Sequence, residues 1–78
     1  MQINDEYVSV PLSEGFDKDN NLVKLGEKIS INLNGVYYTG ETISISKGIE
    51  SDVFMCKSLD EKGDYQYSIG VSSIVSKA

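Results

Sequence analysis

Residues 28–38 read KISINLNGVYY, and this stretch decides the fold. Ile29, Ile31 and Leu33 alternate with polar residues, which is the period of a strand with one buried face. Asn34-Gly35 follows at once, and because both residues tolerate positive φ, we expect a two-residue type I′ turn that closes a hairpin. The register that this turn imposes pairs Leu33 with Val36, Asn32 with Tyr37, and Ile31 with Tyr38.

The returning strand changes phase along its length. Val36 and Tyr38 place the buried face on even positions, whereas Ile43 and Ile45 place it on odd positions. A slip of one residue turns every later side chain to the opposite face unless a β-bulge absorbs it. We therefore expect a bulge or a sharp bend at Gly40, which lies between the two sets.

Further strands follow this hairpin. The apolar run 53–56 predicts a strand with both faces covered, and a turn over 60–63 precedes a strand with strictly alternating Tyr65, Tyr67, Ile69 and Val71. Residues 71–74 predict one helical turn before a last short strand over 74–76. No segment of eleven or more residues carries apolar positions at helical spacing, so we expect no long helix.

The N-terminal part is less regular. Val8, Val10 and Leu12 predict a short strand, and Pro11, which lacks an N–H donor, places that strand at a sheet edge. Residues 17–21 are predicted to form an exposed polar loop. The chain is thus expected to be one all-β domain over 1–78, with the N-terminal strand and loop in 1–23 and an antiparallel core of about five strands in 24–76.

Composition argues against several classes of protein. Twelve acidic residues outnumber seven lysines, which gives a net charge of −5, and histidine, arginine and tryptophan are absent. Such a surface repels phosphate and attracts basic proteins, so we expect no direct nucleic-acid binding. Without an apolar run of 18 residues we expect no membrane-spanning segment. The acidic, polar start resembles no secretory signal, and a single cysteine fits a cytoplasmic protein.

No residue pattern predicts catalysis. The absence of histidine removes the commonest general base and the commonest metal ligand. Cys56 lies in an apolar run, where a core side chain is expected rather than a nucleophile. Residues 17–21 match the first ligand positions of a calcium loop, but Leu22 replaces the required glycine and Lys28 replaces the required glutamate. We therefore expect no catalytic residue, no metal site and no cofactor.

The carboxylates are the first candidates for partner binding. Carboxylates two residues apart on a strand match the spacing of about 7 Å between phosphates along a DNA strand, so a row of them could occupy the DNA-binding surface of a basic protein. A solvated surface that keeps a small β domain soluble is the alternative interpretation. The acidic candidates are Asp17, Asp19, Glu41, Glu50, Asp52, Asp60, Glu61 and Asp64.

The tyrosines are the second candidates. Tyr37 is expected to face away from Tyr38, and Tyr65 and Tyr67 are expected to share one face. Exposed aromatic rings supply rigid contact area for a partner, although they also pack across strands. We assign Tyr37, Tyr65 and Tyr67 to partner binding and Tyr38 to packing.

The stretch from Leu25 to Ile43, with its glycine-led strand, tight turn, aromatic pair and following glycine, is similar to the opening of an SH3-like or Tudor-like barrel. Gly70 to Ile74 resembles the helical turn before the last strand of such a barrel. The resemblance covers residues 25–76 and implies a small barrel of about five strands. In Tudor-like modules it would also imply an aromatic cage, for which this chain offers only Tyr37, Tyr38, Tyr65 and Tyr67.

In size, acidity and lack of catalytic groups, the chain also resembles small phage-encoded proteins that bind and disable a host factor. This resemblance implies a non-enzymatic protein-interaction module, able to form a homodimer and acting in the cytoplasm of a bacterial host. Its sharpest form is a DNA-mimicking inhibitor of a basic nucleic-acid-binding protein, such as a histone-like protein. Two alternatives stay open: a small-molecule-binding oligomer, and a structural or accessory barrel whose acidity is incidental.

Overall fold

The computed structural model describes residues 10–78 and confirms an all-β, antiparallel fold without a long helix. Among these residues, no helix has the length and the apolar character needed to cross a membrane. A single 3₁₀ turn over Ser72–Ile74 separates the last two strands. The strands are β1 (Val10–Leu12), β2 (Glu14–Phe16), β3 (Leu22–Lys24), β4 (Lys28–Leu33), β5 (Val36–Lys47), β6 (Asp52–Leu59), β7 (Tyr65–Val71) and β8 (Val75–Lys77).

The main sheet has the order β7-β6-β5-β4-β8, and β7 and β8 are its edges. The long strand β5 pairs with β4 through its first half and with β1 through its last three residues. The predicted hairpin register is confirmed, with Leu33 opposite Val36. Asn34 and Gly35 have φ values of 55° and 89°, as a type I′ turn requires.

The phase change in β5 is present, but its predicted position was wrong. The register shifts between Thr42 and Ser44, which makes Ile43 the extra residue. Gly40 instead continues regular pairing with Ile29. The N–H and the hydroxyl of Thr42 both donate to the carbonyl oxygen of Glu27, at 2.9 and 2.7 Å, so the strand stays in its first phase up to that point.

The core is built from side chains of β3, β4, β5, β6 and β8. Leu12 and Ile74 pack against it, and its fully buried members are Val23, Ile29, Ile31, Ile45, Phe54, Cys56 and Val75. Val36 and Tyr38, which were expected to continue the buried face, are 53% and 37% exposed. Val36 lies at the tip of the β4–β5 hairpin, opposite the exposed Leu33, whereas Tyr38 lies opposite the core residue Ile31 and is the more covered of the two.

The N-terminal part is more ordered than predicted. Residues expected to form an irregular stretch contain the hairpin of β2 and β3, in which Gly15 lies opposite the fully buried Val23. The predicted N-terminal strand is present from Val10 to Leu12, and its only strand partner in the described region is β5. Val8, the first residue of that prediction, lies outside the described residues.

Candidate protein-binding site

The outer face of β7 carries the large apolar side chains of that strand. Cross-strand partners lie on the same face of a sheet, and Tyr65 lies opposite Leu59 of β6. We define the tyrosine face as five side chains on this outer side, each between 41% and 61% exposed. They are Leu59, Tyr65, Tyr67, Ile69 and Val71.

The inner face of β7 carries only small or polar side chains. Gly70 lies opposite the core residue Phe54, and a Cβ at Gly70 would come within 2.6 Å of Cγ2 of Ile31. Ser68 lies opposite the core residue Cys56. The strand is therefore inverted relative to the usual pattern, in which the large apolar side chains point into the core.

Lys57 is the one charged residue of β6 and β7 that lies directly among these side chains. It pairs with Tyr67 across the two strands, and its ammonium group lies 4.6 Å from the centre of the Tyr65 ring. This distance allows a cation–π interaction between the Lys57 ammonium group and the Tyr65 ring on the outer face.

An acidic turn, defined as residues 60–64, adjoins the tyrosine face. The N–H of Asp60 donates to the carbonyl oxygen of Asp64 at 2.8 Å, and a carboxylate oxygen of Asp60 accepts from the N–H groups of Lys62 and Asp64. Asp60 thus orders the turn, whereas Glu61 and Asp64 are exposed. An open hollow of about 410 Å³ is lined by this turn and Gln66, and all of its lining side chains are polar or charged.

The other acidic candidates do not join this turn in one row. Glu50 and Asp52 lie at the opposite end of β6, about 24 Å away along the strand. Glu41 is paired in register with Lys28 and Lys57, and Asp19 forms an ion pair with Lys18 at 3.0 Å. The structure therefore places Asp60, Glu61 and Asp64 at one end of the sheet and Glu50 and Asp52 at the other.

Asp17 is a part of the fold and not of the surface, which corrects its assignment to partner binding. Its side chain is only 5% exposed. One carboxylate oxygen accepts from the N–H groups of Asp19 and Asn21, and the other accepts from the N–H of Lys77 at 2.9 Å. Burial opposes ionisation, but these hydrogen bonds prevail and lower the pKa of Asp17.

The four tyrosines do not converge on one cage. Tyr37 is 65% exposed and lies two strands away from the tyrosine face, on the same side of the sheet as Glu41 and Lys57. Tyr38 lies opposite Ile31 on the other side. Of the three aromatic candidates, only Tyr65 and Tyr67 are therefore neighbours.

Two other kinds of site, a reactive thiol and a metal centre, were considered for the described residues. Cys56 is buried, as expected, and burial raises the pKa of its thiol although the Ser68 backbone acts in the opposite direction. Within residues 10–78, no three His, Cys, Asp or Glu side chains are grouped so that they could hold a metal ion.

Comparison of the chain with family models, with curated proteins and with solved structures found no match.

Proposed function

We propose that this protein is a non-catalytic protein-interaction module that binds a basic protein through the tyrosine face and the acidic turn. The observation that carries the proposal is the inverted strand β7, whose tyrosines and aliphatic side chains face solvent instead of the core. Tyrosine is enriched at the centres of protein interfaces because it offers a large, rigid contact area with a polar tip. An apolar patch with a polar border is typical of such a site.

The charge of the chain supports a basic partner. The net charge is −5, and Glu61 and Asp64 lie exposed at the border of the tyrosine face. Carboxylates at the rim of an interface attract an oppositely charged partner and orient it before contact. The apolar centre would then supply most of the binding free energy, and the acidic turn would supply orientation.

Nucleic-acid-binding proteins are the partner class that fits best. Their basic surfaces are built to hold phosphates, whose positions carboxylates can take, while the tyrosines add the apolar contacts. The most specific version of the proposal is therefore a DNA-mimicking inhibitor.

The test is displacement of DNA from a histone-like protein. A fluorescent duplex is bound to the purified histone-like protein, and this chain is titrated into the complex while the anisotropy of the duplex is measured. We expect release of the duplex, with an affinity that weakens as salt is raised because the opposing charges are screened within about 8 Å at physiological ionic strength. If the duplex stays bound at all concentrations of this chain, the proposal that the partner is a nucleic-acid-binding protein is contradicted.

Matched variants separate the site from net charge. The double change Glu61→Gln with Asp64→Asn and the double change Glu14→Gln with Glu50→Gln each remove two negative charges. We expect the first pair, and Tyr67→Ser, to weaken displacement about tenfold, and the second pair to change it less than about twofold. Equal effects of the two pairs would show that net charge acts alone and that the acidic turn is not the site.

A further inference from the structure

We propose that two copies of this chain pair through the edges of their β7 strands, antiparallel and centred on Ser68, to form one continuous sheet. The inference goes beyond the partner proposed above and does not depend on it. It rests on the hydrogen-bonding state of the β7 edge, on the self-complementary order of its side chains and on the placement of charge.

The outward-pointing backbone groups of β7 follow from the turn that precedes it. The N–H of Asp60 donates to the carbonyl oxygen of Asp64, and in an antiparallel ladder hydrogen-bonded and non-bonded pairs alternate. The pairs of Gln66, Ser68 and Gly70 with β6 are therefore the bonded ones. The N–H and C=O groups of the odd-numbered residues point away from β6; these residues are Tyr65, Tyr67, Ile69 and Val71.

In the described part of the chain, no second strand and no further backbone hydrogen bond occupies this edge. β7 pairs only with β6, and none of the other backbone hydrogen bonds among residues 10–78 involves residues 65–71. Natural edge strands are usually protected by charged side chains, by proline or by short length. β7 has seven residues and contains neither a charge nor a proline.

The strand is complementary to itself in one register. With Ser68 opposite Ser68 of the second copy, Tyr65 lies opposite Val71 and Tyr67 lies opposite Ile69, so that every outer pair joins an aromatic to a β-branched side chain. The four odd-numbered positions all become hydrogen-bonded pairs, which gives eight new bonds at two per pair. A shift of two residues, with Tyr67 opposite Tyr67, gives only six.

Charge and area are compatible with this pairing. The antiparallel arrangement puts the two acidic turns at opposite ends of the shared edge, so the charge of −5 on each copy is not concentrated.

Two tyrosines more than half exposed, with the neighbouring aliphatic side chains, leave on the order of 400 Å² of apolar surface per copy. Edge pairing covers part of it, so the interface is small, below about 1,200 Å² in total, and we expect a micromolar dissociation constant.

The resulting dimer enlarges the tyrosine face. Because the two-fold axis stands perpendicular to the sheet, the outer faces of both copies lie on the same side. The dimer therefore presents two tyrosine faces side by side, with an acidic turn at each end.

The first test is sedimentation equilibrium of the intact chain from about 1 µM to about 1 mM. We expect a monomer–dimer equilibrium, which Tyr67→Lys and Ile69→Glu each weaken about tenfold because each change alters two symmetry-related contacts. Ile49→Glu is the matched control: Ile49 is 83% exposed in the turn after β5, and its replacement adds the same charge without touching β7. Circular dichroism checks that every variant is folded.

Mixing the variants tests the register. In the mixed dimer, the Tyr67→Lys and Ile69→Glu side chains oppose each other and the second pair is native, so we expect affinity to return to within about threefold of the native chain. A chain that stays monomeric overturns the proposal. So does a mixture without recovery, or an Ile49→Glu effect equal to that of Ile69→Glu.

Amide hydrogen exchange gives an independent readout. The N–H groups of Tyr65, Tyr67, Ile69 and Val71 should become protected as concentration rises, whereas those of Gln66, Ser68 and Gly70 should be protected throughout. Protection of the four odd-numbered groups even in dilute solution would show that a segment of the same chain covers the edge, and would overturn the dimer.

Discussion

The carboxylate of Asp17 accepts a hydrogen bond from the backbone N–H of Lys77 at 2.9 Å, and this contact joins positions 60 residues apart in the chain. The loop after β2 is thereby attached to the last strand. Two further hydrogen bonds join the β2–β3 hairpin to β8. The N–H of Lys18 donates to the carbonyl oxygen of Val75, and the ammonium group of Lys77 donates to the carbonyl oxygen of Leu22. The polar loop after β2 therefore connects the N-terminal hairpin to the last strand of the main sheet.

Asp17→Asn should lower the free energy of unfolding by about 2–3 kcal/mol, because an amide nitrogen would face the N–H of Lys77 or that of Asn21 where an acceptor is needed. Urea denaturation followed by circular dichroism measures the change. Asp19→Asn is the control, since Asp19 forms only an exposed ion pair, and we expect less than about 0.5 kcal/mol there. Equal losses in the two variants would contradict the structural role of Asp17.

The same carboxylate predicts a dependence of stability on pH. A group whose pKa is lower in the folded state stabilises the fold above its unfolded pKa, and this contribution disappears as pH falls through the folded pKa. For Asp17 the loss should therefore occur below its ordinary value of 3.8. The difference in urea midpoint between the native chain and Asp17→Asn should be constant near neutrality and should shrink in acid. A difference that persists unchanged to pH 2 would contradict the assignment.

Gly40→Ala should be strongly destabilising. A Cβ at this position would overlap the carbonyl oxygen of Lys57, which belongs to the neighbouring strand and cannot move without breaking the ladder. We expect a loss of at least about 2 kcal/mol, measured by thermal or urea unfolding. Ser46→Ala in the same strand provides the comparison, and a loss of similar size there would show that β5 tolerates no change rather than that Gly40 is a site of close approach.

Cys56 should react slowly with a thiol reagent in the folded protein. Its side chain is buried, and burial raises the pKa of the thiol, so that both access and the thiolate fraction are low. We expect reaction with Ellman's reagent at pH 8 to be at least about a hundredfold faster in denaturing urea than in buffer. Equal rates would mean that the core around Cys56 opens readily.

Local sequence patterns were sufficient where the physical cause is local. The Asn34-Gly35 turn follows from the ability of both residues to take positive φ, and the alternation on either side predicts the β4–β5 register. The position of the bulge in β5 has a cause that is distant in the sequence. It depends on hydrogen bonds from Thr42 to Glu27, 15 residues earlier in the chain, and no pattern around Gly40 reports that contact.

The N-terminal hairpin shows the same limit on prediction. Residues 17–21 read as a solvated loop because they are polar, yet the buried Asp17 is held by N–H groups that come from its own loop and from β8. Only the folded chain brings the N–H of Lys77 to that carboxylate. No local residue pattern distinguishes the buried Asp17 from the exposed acidic residues beside it.

The order of the residues alone determined that this is an antiparallel β protein, because a two-residue period and turn-forming dipeptides act over a few residues. It also determined that Tyr65 and Tyr67 share a face, since side chains two apart on a strand point the same way. Which face meets the core was decided by the tertiary structure. Close packing of Ile31 against Gly70 leaves no room for a side chain on the inner side at that position, and the alternating rings and aliphatic side chains of β7 lie on the outer side, where they form the exposed surface.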